Sequence, residues 1–111
     1  MGLKGKFFTD QTEDVVSDSI AVKHLSSAIL MFDKTGAGTC TISFEWKLRD
    51  LPFQPIPDES GDPQSFNLDA DAQDGQVLLP STYGVNDIRA SISNTVGIVS
   101  VDCSIGGTDN V

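Results

Sequence analysis

Thr39-Cys40-Thr41-Ile42-Ser43-Phe44-Glu45-Trp46-Lys47-Leu48-Arg49 is the stretch that decides the fold. Cys40, Ile42, Phe44, Trp46 and Leu48 fall on one face of a two-residue repeat; Thr39, Thr41, Ser43, Glu45, Lys47 and Arg49 fall on the other. Successive side chains of a strand point to opposite sides, so this pattern predicts a strand with one face in a core and one in water. At about ten residues it is longer than the usual five or six. Phe44 and Trp46 are expected at the centre of that core.

Upstream, Asp33-Lys34-Thr35-Gly36-Ala37-Gly38 reads as a turn whose glycines supply positive φ. Before it lies a continuous apolar run over residues 28–32, preceded by an alternation that puts Ile20, Val22 and His24 on the inward register. Downstream, residues 51–63 hold four of the five prolines, which limits them to an edge strand or an extended crossing. Short strands are expected at residues 65–68 and 76–79. The C-terminal third reads as a hairpin: Ile88, Ala90 and Ile92, a turn at Asn94-Thr95-Val96-Gly97, then Val99, Val101, Cys103 and Ile105. No stretch repeats at 3.6 residues over ten positions, and residues 14–25 are the one arguable helical window. Six to eight short strands with no helix predict an all-β chain, a small antiparallel β-sandwich or jelly roll.

Residues 1–18 are polar and aperiodic, and read as an N-terminal arm; the sandwich is expected over 19–106 and a polar tail over 107–111. Phe7 and Phe8 in the arm would gain from burial, either under their own domain or against a neighbouring subunit. Thr9 and Asp10 follow them at once, so no secretory leader is expected, and no 18-residue apolar run predicts a membrane span.

The 111 residues carry 16 acidic and 7 basic side chains, a net charge of −9. Phosphate backbones and anionic membranes select for the opposite sign, so neither nucleic acid nor membrane is an expected partner. A protein surface with basic groups is. Cys40 and Cys103 are too few for a disulfide scaffold and lie in no zinc-like spacing, so both are expected as buried free thiols.

Candidate sites are sparse. The acidic turn at residues 69–75 invites a calcium reading, but Gln73 and Asp74 stand where an EF-hand needs a ligand and then glycine, and Pro80 where it needs glutamate. It reads as a solvated turn. His24 is the lone histidine and cannot build a metal or nucleophile site by itself. Asp58, Glu59 and Asp62 sit in a Pro/Gly loop with nothing to fix a catalytic separation. No catalytic group, metal or cofactor is therefore expected. Trp46, Phe53, Phe66 and Tyr83 could furnish an aromatic platform for sugar, but Trp46 has core register, while Phe53 and Tyr83 lie beside prolines in loops and are the candidates for surface contact. Phe7, Phe8, Phe53 and Tyr83 together form the expected partner-binding set.

The order of elements resembles that of small structural proteins of tailed bacteriophages. Gly36-Ala37-Gly38-Thr39 leading to Trp46-Lys47-Leu48 carries the resemblance, with the proline-rich crossing, Leu78-Leu79-Pro80, Asp87-Ile88-Arg89-Ala90-Ser91-Ile92-Ser93 and the strand over 99–105. It spans about residues 19–106. The resemblance implies a virion component made in the host cytoplasm: a capsid decoration (cement) protein, or a neck, tail or fibre module. It further implies a homo-oligomer, expected as a trimer, bound to the major capsid protein or another virion protein. The residues themselves leave a rival open, a carbohydrate-binding or adhesin module using Phe53, Tyr83 and the acidic turn.

Overall fold

The structure, a computed structural model, describes residues 2–70 and 73–109. Alternation of apolar and polar residues produces ten strands in chain order: β1 (Gly2–Gln11), β2 (Val15–Val16), β3 (Ile20–Ala21), β4 (Leu25–Thr35), β5 (Thr39–Leu48), β6 (Gln54–Pro55), β7 (Ser65–Leu68), β8 (Asp74–Leu79), β9 (Val85–Val96) and β10 (Ser100–Asp109). No helix occurs among the described residues, the 14–25 window included. One sheet has the order β1-β10-β4-β8; the other has β9 and β5 at its centre, flanked by β2 and β3 on one side and β6 and β7 on the other. All pairings are antiparallel. Counting β2/β3 and β6/β7 as two interrupted strands leaves eight positions in the jelly-roll order. The expected all-β sandwich is therefore present.

β5 carries the burial pattern that its alternation predicts over Cys40, Ile42 and Phe44. Phe44 is 1% exposed and packs against Phe7 and Phe32, with ring centroids 6.2 and 6.1 Å away. Trp46 keeps the inward register but is only half-buried, packed against the core where the sandwich opens. The core is thus centred on Phe44, with Leu30, Ile42, Ile88, Val101 and Ile105 around it. Cys40 and Cys103 are free thiols, both buried. Burial raises the pKa of each, that of Cys103 to about 12.

Several expectations need correction. Residues 107–109 are no tail: β10 runs on to Asp109, and Gly107, Thr108 and Asp109 pair with Ala28, Ser27 and Leu25 of β4. Residues 2–11 are not an arm: β1 is an edge strand of the four-stranded sheet, and Phe7 and Phe8 are both buried in the core. Neighbouring residues of a regular strand point to opposite sides, but β1 shifts register against β10 between Lys6 and Phe8, and again on either side. A bulge places an extra residue in one strand and lets two consecutive rings turn the same way. The same bulges erase the period-two signal.

The C-terminal third is not a hairpin. β9 pairs with β5, whereas β10 pairs with β1 and β4, so the turn at Gly97 carries the chain from one sheet to the other. The turn between β4 and β5 crosses in the same way, and the two corners stack. Gly38 donates its N–H to the Ile98 carbonyl at 2.8 Å. A Cβ on Gly36 would strike that carbonyl, and one on Gly38 would strike the carbonyl of Val96.

His24, finally, is exposed rather than inward. β3 ends at Ala21, and the Leu25 N–H closes a turn on the Val22 carbonyl at 3.0 Å, so alternation stops before residue 24.

Lys34 shows the same corner from within. Its side chain is 1% exposed, and its Nζ donates to the Gly36 carbonyl at 2.7 Å and to Gln73 Oε1 at 3.4 Å. A buried ammonium is costly unless its protons find acceptors, and these carbonyls supply them. Lys34 therefore ties the β4–β5 corner to the segment entering β8.

Candidate docking surface

The jelly-roll order sends the turns to two ends. Residues 36–38 and 97–99 share one end; residues 22–24, 49–53 and 80–84 share the other. Both ends expose apolar side chains, Val96 and Ile98 at the first and Leu51 and Tyr83 at the second; at the second they border a groove.

β5 stops at Leu48 because Arg49 takes a left-handed backbone, φ 53°. That conformation is uncommon for a residue with a Cβ and persists only where neighbours enforce it. Here the start of β9 does so. Arg49 donates its N–H to the Gly84 carbonyl at 3.2 Å, and Asn86 Nδ2 donates to the Arg49 carbonyl at 2.7 Å. The Leu51 N–H then closes the turn on the Leu48 carbonyl at 3.0 Å.

The facing turn is equally pinned. Thr82 is buried; its hydroxyl donates to the Leu25 carbonyl at 2.6 Å, and its N–H to the Ser26 carbonyl at 3.2 Å. Gly84, at φ 82°, lets the chain reverse into β9. Tyr83, between these anchors, is 88% exposed, and Leu51 across from it is 52% exposed. They border an open groove of about 530 Å³ lined by Leu48, Arg49, Asp50, Leu51, Tyr83 and Gly84. On the other side of Tyr83 lies a hollow of about 320 Å³, whose lining includes the polar side chains of Lys23, Ser26, Ser81 and Asn86. An aromatic ring held out on a fixed turn is a low-entropy contact element, apolar on its faces and polar at its tip.

The four expected contact residues do not come together. Tyr83 stands at this end as its loop position predicts. Phe53 is half-buried over the polar outer face of the β9-β5 sheet, with the Arg89 guanidinium 4.1 Å above its ring. Arg89 is held in turn by Glu45, Nε to Oε1 at 2.9 Å. Phe53 thus secures the proline-rich crossing rather than lining the groove. Phe7 and Phe8 are inside the core, because the bulges of β1 turn both rings inward, and offer a partner no surface. Phe66 packs on Phe32, centroids 4.8 Å apart. Leu48 and Leu51 are the members that sequence reasoning missed. Leu48 continues the inward register of β5, and its place at the open end is set by Arg49; Leu51 precedes a proline and has no period to mark it.

Several acidic residues brace the fold. Asp58 caps its own loop, accepting the Ser60 and Asp62 N–H groups at 2.8 and 3.1 Å. Asp14 accepts the Thr95 N–H at 3.0 Å. The Thr95 hydroxyl lies in no good hydrogen-bond geometry, yet its closeness contributes most, ahead of that N–H, to holding the Asp14 carboxyl below its ordinary value. Lys4 pairs with Asp109 at 2.9 Å, tying the start of β1 to the end of β10, and its hydrogen bond lowers the Asp109 pKa. Of the acidic turn, Asp69 and Asp74 are described, while Asp71 lies outside the described residues. No group of three or more His, Cys, Asp or Glu side chains placed to hold an ion occurs among the described residues.

Compared with known proteins, the chain matches no family model, no curated protein and no solved structure.

Proposed function

We propose that this protein is a non-enzymatic structural component of a virion that docks its Leu48–Leu51–Tyr83 end onto another virion protein, as a capsid decoration protein does. The observation carrying the reading is the exposed Tyr83 ring beside Leu51, on two turns clamped to each other through Arg49, Gly84 and Asn86. An exposed aromatic ring on a fixed turn is what a docking contact uses, since rigid aromatic anchors concentrate binding energy. The jelly-roll order and the phage-like order of sequence elements support the setting, and repetition on a lattice makes a small contact per copy sufficient. The acidic charge favours a partner surface with Lys and Arg.

The test is direct. Antibodies to the purified protein should label phage particles, and the protein should rebind particles stripped of it and raise their melting temperature. Tyr83→Ser combined with Leu51→Asp should abolish rebinding while the free protein keeps its own melting temperature. Absence from particles, or rebinding indifferent to both substitutions, overturns the proposal. The hollow that joins Tyr83 to Ser81 and Asn86 favours one rival, an aromatic sugar platform. Glycan-array binding lost on Tyr83→Ser would select it.

A further inference from the structure

A sheet edge presents unpaired N–H and C=O groups, and folded proteins blunt such edges with bulges, prolines, charges or short strands. Three of the four edges here are blunted. β1 is bulged in three places and carries Lys4 and Lys6. β2 and β3 are two residues each, with residues 17–19 between them. β6 is a two-residue strand ending at Pro55, and β7 has four residues.

β8 is the exception. Its six residues pair with β4 in unbroken register, and among the described residues it has no strand on its other side. No proline or charge interrupts residues 75–79. Leu78 is 61% exposed on the outer face, opposite Ile29 across the ladder, so the regular edge offers one apolar contact beside the polar Gln76 and Asp74. Beside it runs an open groove of about 720 Å³, walled by residues 76–79 on one side and by Pro57, Asp58, Glu59, Ser60 and Gln64 on the other. Six strand residues span about 20 Å, long enough to hold a short extended peptide.

Charge decides the occupant. A second copy pairing through the same edge would be related by a two-fold axis, bringing Asp58 and Glu59 of each chain towards those of the other, on molecules of net charge −9. Like charges set against each other oppose that arrangement. An extended segment with Lys or Arg meets the same wall favourably.

We propose that the β8 edge and its groove receive an extended, basic peptide segment of a partner protein, which adds as a fifth strand to the β1-β10-β4-β8 sheet. The outer backbone groups of β8 supply the hydrogen bonds. Leu78 and Ile29 take an apolar side chain, and Glu59 faces Lys or Arg, with the loop-capping Asp58 carboxylate adding its charge to the same wall. The site is separate from the Tyr83 end, so either proposal stands if the other fails.

Two blocked octapeptides test it, one alternating Lys with Val and the other alternating Glu with Val. The Lys peptide should bind at least about tenfold more tightly than the Glu peptide at low salt, with the difference shrinking as salt rises. It should also slow hydrogen exchange in residues 74–79. Leu78→Lys and, separately, Glu59→Lys should each weaken the Lys peptide about fivefold. Should Leu78→Lys fail to fold, Glu59→Lys in the loop carries the test alone. Equal affinity for both peptides, protection appearing elsewhere than residues 74–79, or a dimer in sedimentation that Leu78→Lys dissolves would each overturn the proposal.

Discussion

Phe44→Ala is the substitution whose cost follows most directly from the packing. The ring is fully buried and sits between Phe7 on the edge strand of one sheet and Phe32 at the far end of β4, so its removal opens a void that no single strand can close. Phe→Ala at such a site costs about 3–5 kcal/mol. A domain of this size holds about 5–15 kcal/mol in total and loses roughly 4 °C of Tm per kcal/mol, so Tm should fall by about 12–20 °C. Trp46→Ala removes a larger side chain, but one already half in water; scaling by burial gives about half that cost. Thermal unfolding by circular dichroism and by calorimetry measures both. A double-mutant cycle of Phe44→Ala with Phe32→Leu should show a coupling of about 0.5–1.5 kcal/mol from the ring pair. The reasoning fails if Trp46→Ala costs as much as Phe44→Ala, because the core would then be centred one pair of residues further along β5.

Other expectations follow from the corners, the thiols and the carboxylates. Gly38→Ala should destabilise by more than about 1 kcal/mol in urea unfolding, since the added Cβ must displace the Val96 carbonyl at the stacked corners. Cys103, with its pKa raised to about 12, has almost no thiolate at pH 8, so it should resist iodoacetamide in the native state and react within minutes once unfolded in urea. Asp109 is held below its ordinary 3.8 by Lys4, so the stabilising ion pair is fully present above that value and lost as pH falls through the lower folded pKa. Acid unfolding curves should therefore separate for Asp109→Asn and the native chain above about pH 4 and converge in stronger acid.

The strands were legible where one face is dry and the other wet. β5 and β9 keep a strict alternation because their outer faces are polar: Thr41, Ser43, Glu45 and Lys47 on one, Arg89, Ser91 and Ser93 on the other. Partners were not legible. Alternation in residues 88–92 and 99–105 says that both are strands, yet Gly97 serves a hairpin and a sheet-crossing corner equally well. What selects the crossing is the stacking of that corner on Gly36 and Gly38, a contact between turns 60 residues apart that no local pattern records. β1 was hidden for the opposite reason: its bulges destroy the period, so a strand with two core rings reads as an arm. Tyr83 stood out as a loop aromatic, but Leu51 and the open edge of β8 did not, because exposure at an end or an edge is a property of strand order.

Long-range contacts in a nuclear Overhauser spectrum test the strand order itself, on which both proposed surfaces depend. The jelly roll requires backbone contacts of Cys103 with Phe32 on one side and with Phe8 on the other, together with contacts between Ile92 and Ile42. Backbone contacts joining residues 88–92 to residues 101–105 in a hairpin ladder, with none from Cys103 to Phe8, would contradict it.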